Sequence, residues 1–306
     1  MNRFEYLEAR TLPEAITVLG QDEGTRIVAG ATDFLVRWRQ GLWKPRSVLS
    51  IQRIPGLDRV DYSPATGLSL GSLVTIRTLE LHPLIQQYYP ALSQAATTFA
   101  GVQIRNLATV GGNICNASPS GDTLPALIAC GAECRLIGPE GERLVPLESF
   151  FLGPGRSALR PAEILIELHL PPPPPHTGAL YIKHSPRSAM DISTVGVASV
   201  VTLEGGDGVC QEVRITLGAV APTVMRASSA EALLRGQRLE AGLIQQAARA
   251  ATEDARPIDD IRGTARHRRA IVEALTGRTL RSAIQMAQGA SFPFQTQRAL
   301  AVEAML

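Results

Sequence analysis

Residues 104–122, IRNLATVGGNICNASPSGD, place bare backbone and small polar side chains between two apolar runs. The glycines remove the Cβ atoms that would keep a ligand away from the backbone, and the hydroxyl and amide groups can donate hydrogen bonds. The residues concerned are Thr109, Gly111, Gly112, Asn113, Asn116 and Ser118. This set suits a phosphate-bearing ligand, although a loop whose Asn, Ser and Asp side chains bond only their own backbone is the alternative explanation.

A second stretch of similar character is IVAGATDF at residues 27–34. Its pattern predicts a strand that ends at Gly30, with the amides of Ala31 and Thr32 close to the start of a helix. Helix starts favour anions, because they carry partial positive charge and unpaired N–H groups. An ordinary glycine turn between a strand and a helix is again the alternative. Together the two stretches could clasp a diphosphate from two sides, unlike the G-x-G-x-x-G turn of a single βαβ unit.

Other chemistries have little support in the sequence. No Gly-Lys dipeptide occurs, which excludes a P-loop, and neither an H-E-x-x-H nor an EF-hand pattern is present. The five histidines are scattered, and Cys130 and Cys134 form a single C-x3-C pair without a partner pair. We therefore predict no metal site and no catalytic acid or base in this chain.

Composition narrows the class of protein. The chain has 306 residues, 45% of them hydrophobic, with a formal net charge of +2. This length favours two domains, and the lack of basic runs interleaved with aromatics argues against binding to nucleic acid. No secretion signal and no transmembrane segment are evident, so a cytoplasmic protein with reduced cysteines is expected.

Hydrophobic periodicity predicts the elements that must position these residues. A small parallel α/β unit is expected from a helix at 11–20, a strand at 25–30, a helix at 31–41 and a strand at 47–51. The pattern then predicts hairpins turning at 64–67 and 139–141, a helix at 88–101 and a strand at 163–170.

Five consecutive prolines, Pro171–Pro175, mark a domain boundary, because such a run fits neither a helix nor a central strand. We predict one domain at 1–175 and a second at 176–306. The second domain is expected to begin with two long strands joined at residues 205–208 and to continue as helices over 226–306. The predicted class is α+β.

Three segments resemble a known family. RNLATVGGNICNASPSGDTLPAL, AGATDF and YIKHSPRSAMDISTVGVASVV are similar to segments of the FAD-binding (medium) subunit of molybdenum hydroxylases, in the same order. That family includes xanthine dehydrogenases, aerobic carbon monoxide dehydrogenases and aldehyde oxidoreductases. The resemblance implies an FAD-binding domain of the vanillyl-alcohol-oxidase (PCMH) type, followed by a C-terminal domain with a small antiparallel sheet and helices.

The resemblance also implies which residues contact the FAD pyrophosphate. In the first loop these are Ile27, Val28, Ala29, Gly30, Ala31, Thr32 and Asp33. In the second loop Thr109, Gly112 and Asn113 take the same role, and Ala108, Cys115 and Asn116 are expected to line the cofactor beside them.

The remaining implied contacts lie elsewhere in the chain. Ala100 and Ile104 match positions that line the cofactor, and Asp122 matches a carboxylate that binds FAD hydroxyl groups. Ile166 and Lys183 match positions beside the isoalloxazine ring, where a cation would stabilise an anionic reduced flavin.

Two departures from the family pattern are relevant. The chain has Gly30-Ala31-Thr32-Asp33 where members often have Gly-Gly-Thr-Asp or Gly-Gly-His-Ser. It also passes from Asn116 to Asp122 without the cysteine-bearing insertion of the 4-hydroxybenzoyl-CoA reductase type. We therefore expect no iron–sulfur cluster in this chain.

The resemblance implies a flavin subunit of a multi-subunit molybdenum enzyme. Its partners would be a large molybdopterin-binding subunit and a small [2Fe–2S] subunit, assembled as a dimer of heterotrimers. Electrons would pass from the [2Fe–2S] clusters through FAD to NAD, a quinone or oxygen. The alternatives are a free-standing FAD-dependent oxidase or reductase with its own small substrate, and a nucleotide-binding or assembly protein without redox function.

Overall fold

The computed structural model describes residues 3–187, 190–205 and 208–290. Its first unit comprises β1 (Glu5–Glu8), α1 (Leu12–Gln21), β2 (Arg26–Val28), α2 (Phe34–Arg39) and β3 (Ser47–Ser50). The three strands form a parallel sheet in the order β1-β3-β2. The Thr11 hydroxyl caps α1 by accepting a hydrogen bond from the Glu14 amide, as threonine commonly does at helix starts. The predicted parallel α/β unit is confirmed.

The next part of the chain alternates strands with short helices. In chain order these are β4 (Val60–Ser63), β5 (Gly67–Gly71), α3 (Ile76–Leu81), α4 (Pro83–Tyr88), α5 (Pro90–Thr98), α6 (Val102–Arg105), α7 (Val110–Cys115), α8 (Thr123–Ala129), β6 (Glu133–Gly138), β7 (Gly141–Pro146), a 3-10 turn (Leu147–Ser149), β8 (Phe151–Gly153), β9 (Arg156–Ser157) and β10 (Ile164–Leu170). Five of the strands form an antiparallel sheet in the order β4-β5-β10-β6-β7, and β8 pairs with β9.

This sheet and its helices enclose the larger core. Leu68, Leu70 and Leu168 of the sheet are fully buried in one cluster with Leu92 of α5 and Ile114 of α7. Full burial of such a side chain contributes about 1.5–3 kcal/mol. The predicted hairpins at 64–67 and 139–141 are confirmed by the β4–β5 and β6–β7 pairs.

The polyproline segment is held against the first part of the chain. It follows β10, and the Tyr89 hydroxyl lies 2.9 Å from the carbonyl oxygen of Pro171 and 3.3 Å from that of Leu170. Pro171–Pro175 contains neither helix nor strand, as the sequence predicted. The division of the chain at residue 175 stays a prediction.

Beyond the prolines the chain forms a second antiparallel sheet covered by helices. The elements are β11 (Thr177–His184), β12 (Val195–Glu204), β13 (Val209–Gly218), β14 (Met225–Arg226), α9 (Ser228–Leu234), α10 (Ala241–Asp254) and α11 (Ala265–Ala287). The strand order is β11-β12-β13-β14, which confirms the predicted pair of long strands. Residues 206–207 of the predicted turn and 291–306 of the predicted helical region lie outside the described residues.

The two parts share one core. Helix α8 packs on β12 and β13, and α5 packs on β11. Ala179, Tyr181 and Ala198 of the second sheet therefore belong to the same buried cluster as Leu124 and Leu127 of α8. The predicted α+β class is confirmed, and this contact sets the position of the second sheet relative to the stretch 104–122. Within the described ranges no helix is both long and apolar enough to cross a membrane.

Candidate cofactor-binding site

A cavity of about 430 Å³ lies between the turn after β2 and the start of α7. This volume is within the ~300–1,000 Å³ of typical small-molecule sites. Thirteen of the sequence-predicted residues line it: Ile27, Val28, Ala29, Gly30, Ala31, Thr32, Asp33, Ala108, Thr109, Gly112, Asn113, Cys115 and Asn116. The structure thus brings the two predicted stretches to one cavity; their contacts with a cofactor stay a prediction.

Gly30 allows the two stretches to touch. A Cβ at this position would overlap the backbone carbonyl of Leu107 and come within 3.1 Å of the Ala108 Cα. The neighbouring Ala31 adopts a left-handed conformation with φ of 57°. On the other side of the turn, the Gln52 side-chain amide donates to the Ala29 carbonyl at 2.8 Å. The glycine is therefore required for packing between two protein segments, whatever ligand the cavity takes.

The second stretch is more ordered than the sequence suggested. Instead of one open loop, it contains α7, whose first turn is capped by the Thr109 hydroxyl accepting from the Gly112 amide at 3.1 Å. The Gly111 amide donates to the Ser72 carbonyl at 2.9 Å, and a Cβ on Gly111 would lie 2.7 Å from that same oxygen. These two amides, expected to face a ligand, thus already have protein acceptors.

Two buried polar atoms on the cavity wall have no protein partner. Among the described residues, Ser72 Oγ and Asn116 Oδ1 are buried without a hydrogen bond. Buried polar groups are nearly always hydrogen-bonded, so these two are exceptions; both atoms are themselves inaccessible to solvent, although their residues line the cavity. Cys115 also lines the wall, and burial raises the pKa of its thiol to about 12.

Aromatic rings and cations complete the cavity, and the sequence reasoning missed them. Trp43, Phe34 and Phe99 present rings, and Arg26 and Arg160 supply positive charge. The Arg26 guanidinium lies 5.5 Å from the centre of the Trp43 ring, within range of a cation–π interaction. Rings suit a planar heterocycle and cations suit phosphates, so the donor set fits FAD. Of these residues, Arg26 and Phe34 border the predicted loop Ile27–Asp33 in the sequence, whereas the others come from separate parts of the chain.

Five predicted residues lie away from the cavity wall. Ile104 is 38% exposed on α6, and Ala100 forms a left-handed turn before that helix, with φ of 40°. Ile166 is buried in a core cluster with Leu49, although its neighbours in β10 line the cavity. The other two, Asp122 and Lys183, form a buried pair.

The Asp122–Lys183 pair joins the two parts of the chain. The Lys183 ammonium lies 2.8 Å from Asp122 Oδ2, and both side chains are less than a tenth exposed. The same ammonium donates to the carbonyls of Thr98 at 3.1 Å and Asp191 at 2.8 Å, which uses all three of its hydrogens. Asp122 Oδ1 accepts from the Ser193 hydroxyl at 2.7 Å. Each ion therefore has its hydrogen-bonding needs met by the protein.

Burial dominates the electrostatics of this pair. It raises the pKa of the Asp122 carboxyl, while the charge of Lys183 and hydrogen bonds from Lys183 and Ser193 act in the opposite direction. Burial and the Asp122 charge also raise the pKa of the nearby Tyr181 phenol well above its ordinary value. The cluster thus carries one compensated ion pair beside a neutral phenol.

One further pattern in the described part of the chain resembles a hydrolase motif. A G-x-S-x-G pattern at Gly67–Gly71 lies inside β5 rather than at the strand-to-helix turn that exposes a hydrolase nucleophile. Asp61 and His169 flank Ser69 in register on the adjacent strands. Within the described residues, no group of three or more His, Cys, Asp and Glu side chains is placed to hold a metal ion.

We expect Gly30→Ala to lower the free energy of unfolding by about 1–3 kcal/mol, because the new methyl group overlaps the Leu107 carbonyl and forces the two stretches apart. Gly20→Ala, in α1, is the control, since a Cβ there meets no atom within 4 Å. It should be neutral or stabilising by up to about 1 kcal/mol. Urea unfolding measures both, and equal stability of the two variants would contradict the packing role of Gly30.

We expect Lys183→Met to lower the free energy of unfolding by about 3–5 kcal/mol, because it leaves a buried carboxylate without its counter-ion. The double variant Asp122→Asn, Lys183→Met should lose less than the sum of the two single variants. A urea-unfolding cycle with additive losses would refute the coupling.

The free energies of unfolding in this cycle should depend on pH. A carboxyl whose folded-state pKa is raised stabilises the fold below the unfolded value of about 4, and this contribution is lost as the pH rises. Without the opposing charge of Lys183 the loss should be larger, so the stability of Lys183→Met should fall more steeply above about pH 4 than that of the wild type.

Comparison with known proteins identifies the family. The family model described as the FAD binding domain in molybdopterin dehydrogenase matches residues 2–173. The family model of the CO dehydrogenase flavoprotein C-terminal domain matches residues 180–283. The chain is 33% identical over 285 residues to the putative xanthine dehydrogenase FAD-binding subunit XdhB of Escherichia coli, covering 93% of this chain and 97% of that protein.

The chain is also similar to a subunit of carbon monoxide dehydrogenase. The chain is 32% identical over 282 residues to the carbon monoxide dehydrogenase medium chain of Hydrogenophaga pseudoflava, covering 92% of this chain and 97% of that protein. A solved structure of carbon monoxide dehydrogenase from the same organism aligns with a TM-score of 0.89 at 33% identity, over 94% of this chain and 99% of that one. These matches confirm the family, the order of its two domains and the FAD cofactor that the resemblance implied. The chain belongs to the FAD-binding subunits of the molybdenum hydroxylases and is a flavoprotein component of an oxidoreductase.

Proposed function

We propose that this chain is the electron-transferring flavin subunit of a three-subunit molybdenum enzyme. Its partners would be a large molybdopterin-binding subunit and a small [2Fe–2S] subunit, arranged as a dimer of heterotrimers in the cytoplasm. The observation that carries the proposal is the convergence of both predicted stretches on one cavity, in a chain that matches medium subunits over nearly its whole length. Substrate would be oxidised on the large subunit, away from this chain.

The residues of this chain would bind and orient the cofactor. The turn from Ile27 to Asp33 and the start of α7 would hold the pyrophosphate, with the positive charge of Arg26 and Arg160 at the same cavity. The role of the Asp122–Lys183 pair would be to fix the segments around Thr98 and Asp191, because both of its side chains already have protein partners.

Bound FAD would supply the redox chemistry that links the [2Fe–2S] clusters to NAD, a quinone or oxygen as acceptor. The residues of this chain would fix the orientation of its ring and set the electrostatic surroundings. Four charged residues line the cavity, Asp33 and Glu163 as well as Arg26 and Arg160, and burial keeps the Cys115 thiol protonated beside them.

The test is purification of the tagged chain from its source cells, followed by analysis of its partners and its absorption spectrum. We expect a large chain with molybdopterin, a small chain with iron–sulfur absorbance, and one FAD per copy of this chain. Flavin in the complex should bleach when the iron–sulfur chain is reduced.

The outcomes separate the alternatives. A flavin-containing chain that turns over an organic substrate without partners would favour the free-standing oxidase or reductase. A bound nucleotide without isoalloxazine absorbance would favour an assembly role.

Gly30→Ala is expected to lower the FAD content, because it separates the two stretches that line the cavity. The matched Gly20→Ala variant should keep the wild-type FAD content.

A further inference from the structure

The side chain of Arg105, the last residue of α6, folds back over the connection between α5 and α6. One of its guanidinium nitrogens, Nη1, donates to two successive carbonyls, that of Phe99 at 3.0 Å and that of Ala100 at 3.1 Å. The connection itself is only three residues long, from Phe99 to Gly101. A single cation therefore fixes most of its backbone.

The guanidinium is itself held by a buried carboxylate. Arg105 Nε lies 2.8 Å from Glu80 Oε2, and Nη2 lies 3.4 Å from Oε1, with side chains only 13% and 10% exposed. Glu80 thus binds the planar guanidinium at two nitrogens, a geometry that the ammonium group of lysine cannot reproduce. Arg77 also pairs with Glu80, at 2.7 Å.

The backbone under Arg105 is in an unfavourable conformation. Ala100 has a φ of 40°, a left-handed value that costs a non-glycine residue about 1–3 kcal/mol. Because a trans peptide places its N–H opposite its carbonyl, fixing the carbonyls of Phe99 and Ala100 also fixes the direction of the next two amides. The preceding carbonyl, of Thr98, accepts from Lys183. Three successive carbonyls are thus bound to two buried cations.

This connection borders the cofactor cavity. Phe99 lines the cavity wall, whereas Ala100, the next residue, does not. We infer that Arg105 is a positioning residue for the flavin: through its contacts with the Phe99 and Ala100 carbonyls it holds Phe99 in the conformation that binds the cofactor, without touching the cofactor itself. The inference rests on the proposed function.

The test compares three variants of the full-length chain with the wild type. Arg105→Gln removes the charge and the two-carbonyl contact, and Arg105→Lys keeps the charge. Arg77→Gln is the matched control, because Arg77 shares Glu80 but its hydrogen bond is to Glu80 alone, not to Phe99 or Ala100. FAD binding is measured by flavin fluorescence, the reduction potential of the bound flavin by dye equilibration, and stability by urea unfolding.

We expect Arg105→Gln to raise the Kd for FAD by about tenfold, the size of effect of one lost hydrogen bond to a charged group. The potential of the bound flavin should fall, because the positive charge that contacts the Phe99 and Ala100 carbonyls is lost. Arg105→Lys should recover only part of the affinity, because it keeps the charge but cannot reproduce the arrangement of the guanidinium contacts. Arg77→Gln should keep the wild-type Kd and potential, even where it lowers stability.

Each other result counts against the inference. Wild-type affinity and potential in Arg105→Gln would overturn it, while the proposed function would stand. Equal losses of affinity in Arg105→Gln and Arg77→Gln would also overturn it, because the effect would then come from the Glu80 ion pairs in general. A wild-type chain that binds no FAD would overturn the proposed function together with the inference.

Discussion

The close approach of the Gly30 turn to the Leu107 carbonyl is the contact on which the cavity depends. One segment leaves a parallel sheet and the other leaves a cluster of short helices, so no shared hydrogen-bonded sheet holds them together. Their separation is set by backbone meeting backbone at a residue without a side chain. Other segments of the chain contribute the polar and aromatic side chains that line the cavity around this contact.

The second constraint is electrostatic. Lys183 belongs to β11 and Asp122 precedes α8, so the ion pair spans the two halves of the chain. The apolar packing of α8 on β12 and β13 excludes water from the pair, and the pair in turn fixes the carbonyls of Thr98 and Asp191. Burial of this kind makes each partner costly to remove alone, so the second sheet and the segment around Thr98 depend on each other.

Local patterns in the sequence were enough to predict much of the fold. Residues close together in the sequence were enough to predict the helix that begins at Thr11, the strand before Gly30 and the two hairpins. The helix α7 was missed because two adjacent glycines are poor helix formers, whereas the structure compensates with the Thr109 cap and a backbone bond to Ser72. That backbone hydrogen bond links residues far apart in the sequence, so no local sequence pattern predicts it.

The same reason explains which site residues escaped prediction. Trp43, Ser72 and Arg160 lie in three separate loops, and only the three-dimensional arrangement shows that they share the cavity. Asp122 and Lys183 were found separately, through the family resemblance, but their pairing with each other depends on how the two sheets pack. Residues that act by contact across the fold are thus the ones a linear pattern cannot reveal.

The buried thiol of Cys115 has a chemical consequence for a redox protein. Burial raises its pKa to about 12, so at pH 7 the group is a thiol and the thiolate, which is the form that reacts with oxidants and electrophiles, is scarce. Cys115 therefore places sulfur on the cavity wall in its less reactive form. A thiol held in this form is expected to be slow to enter the sequence of oxidations that begins with sulfenic acid.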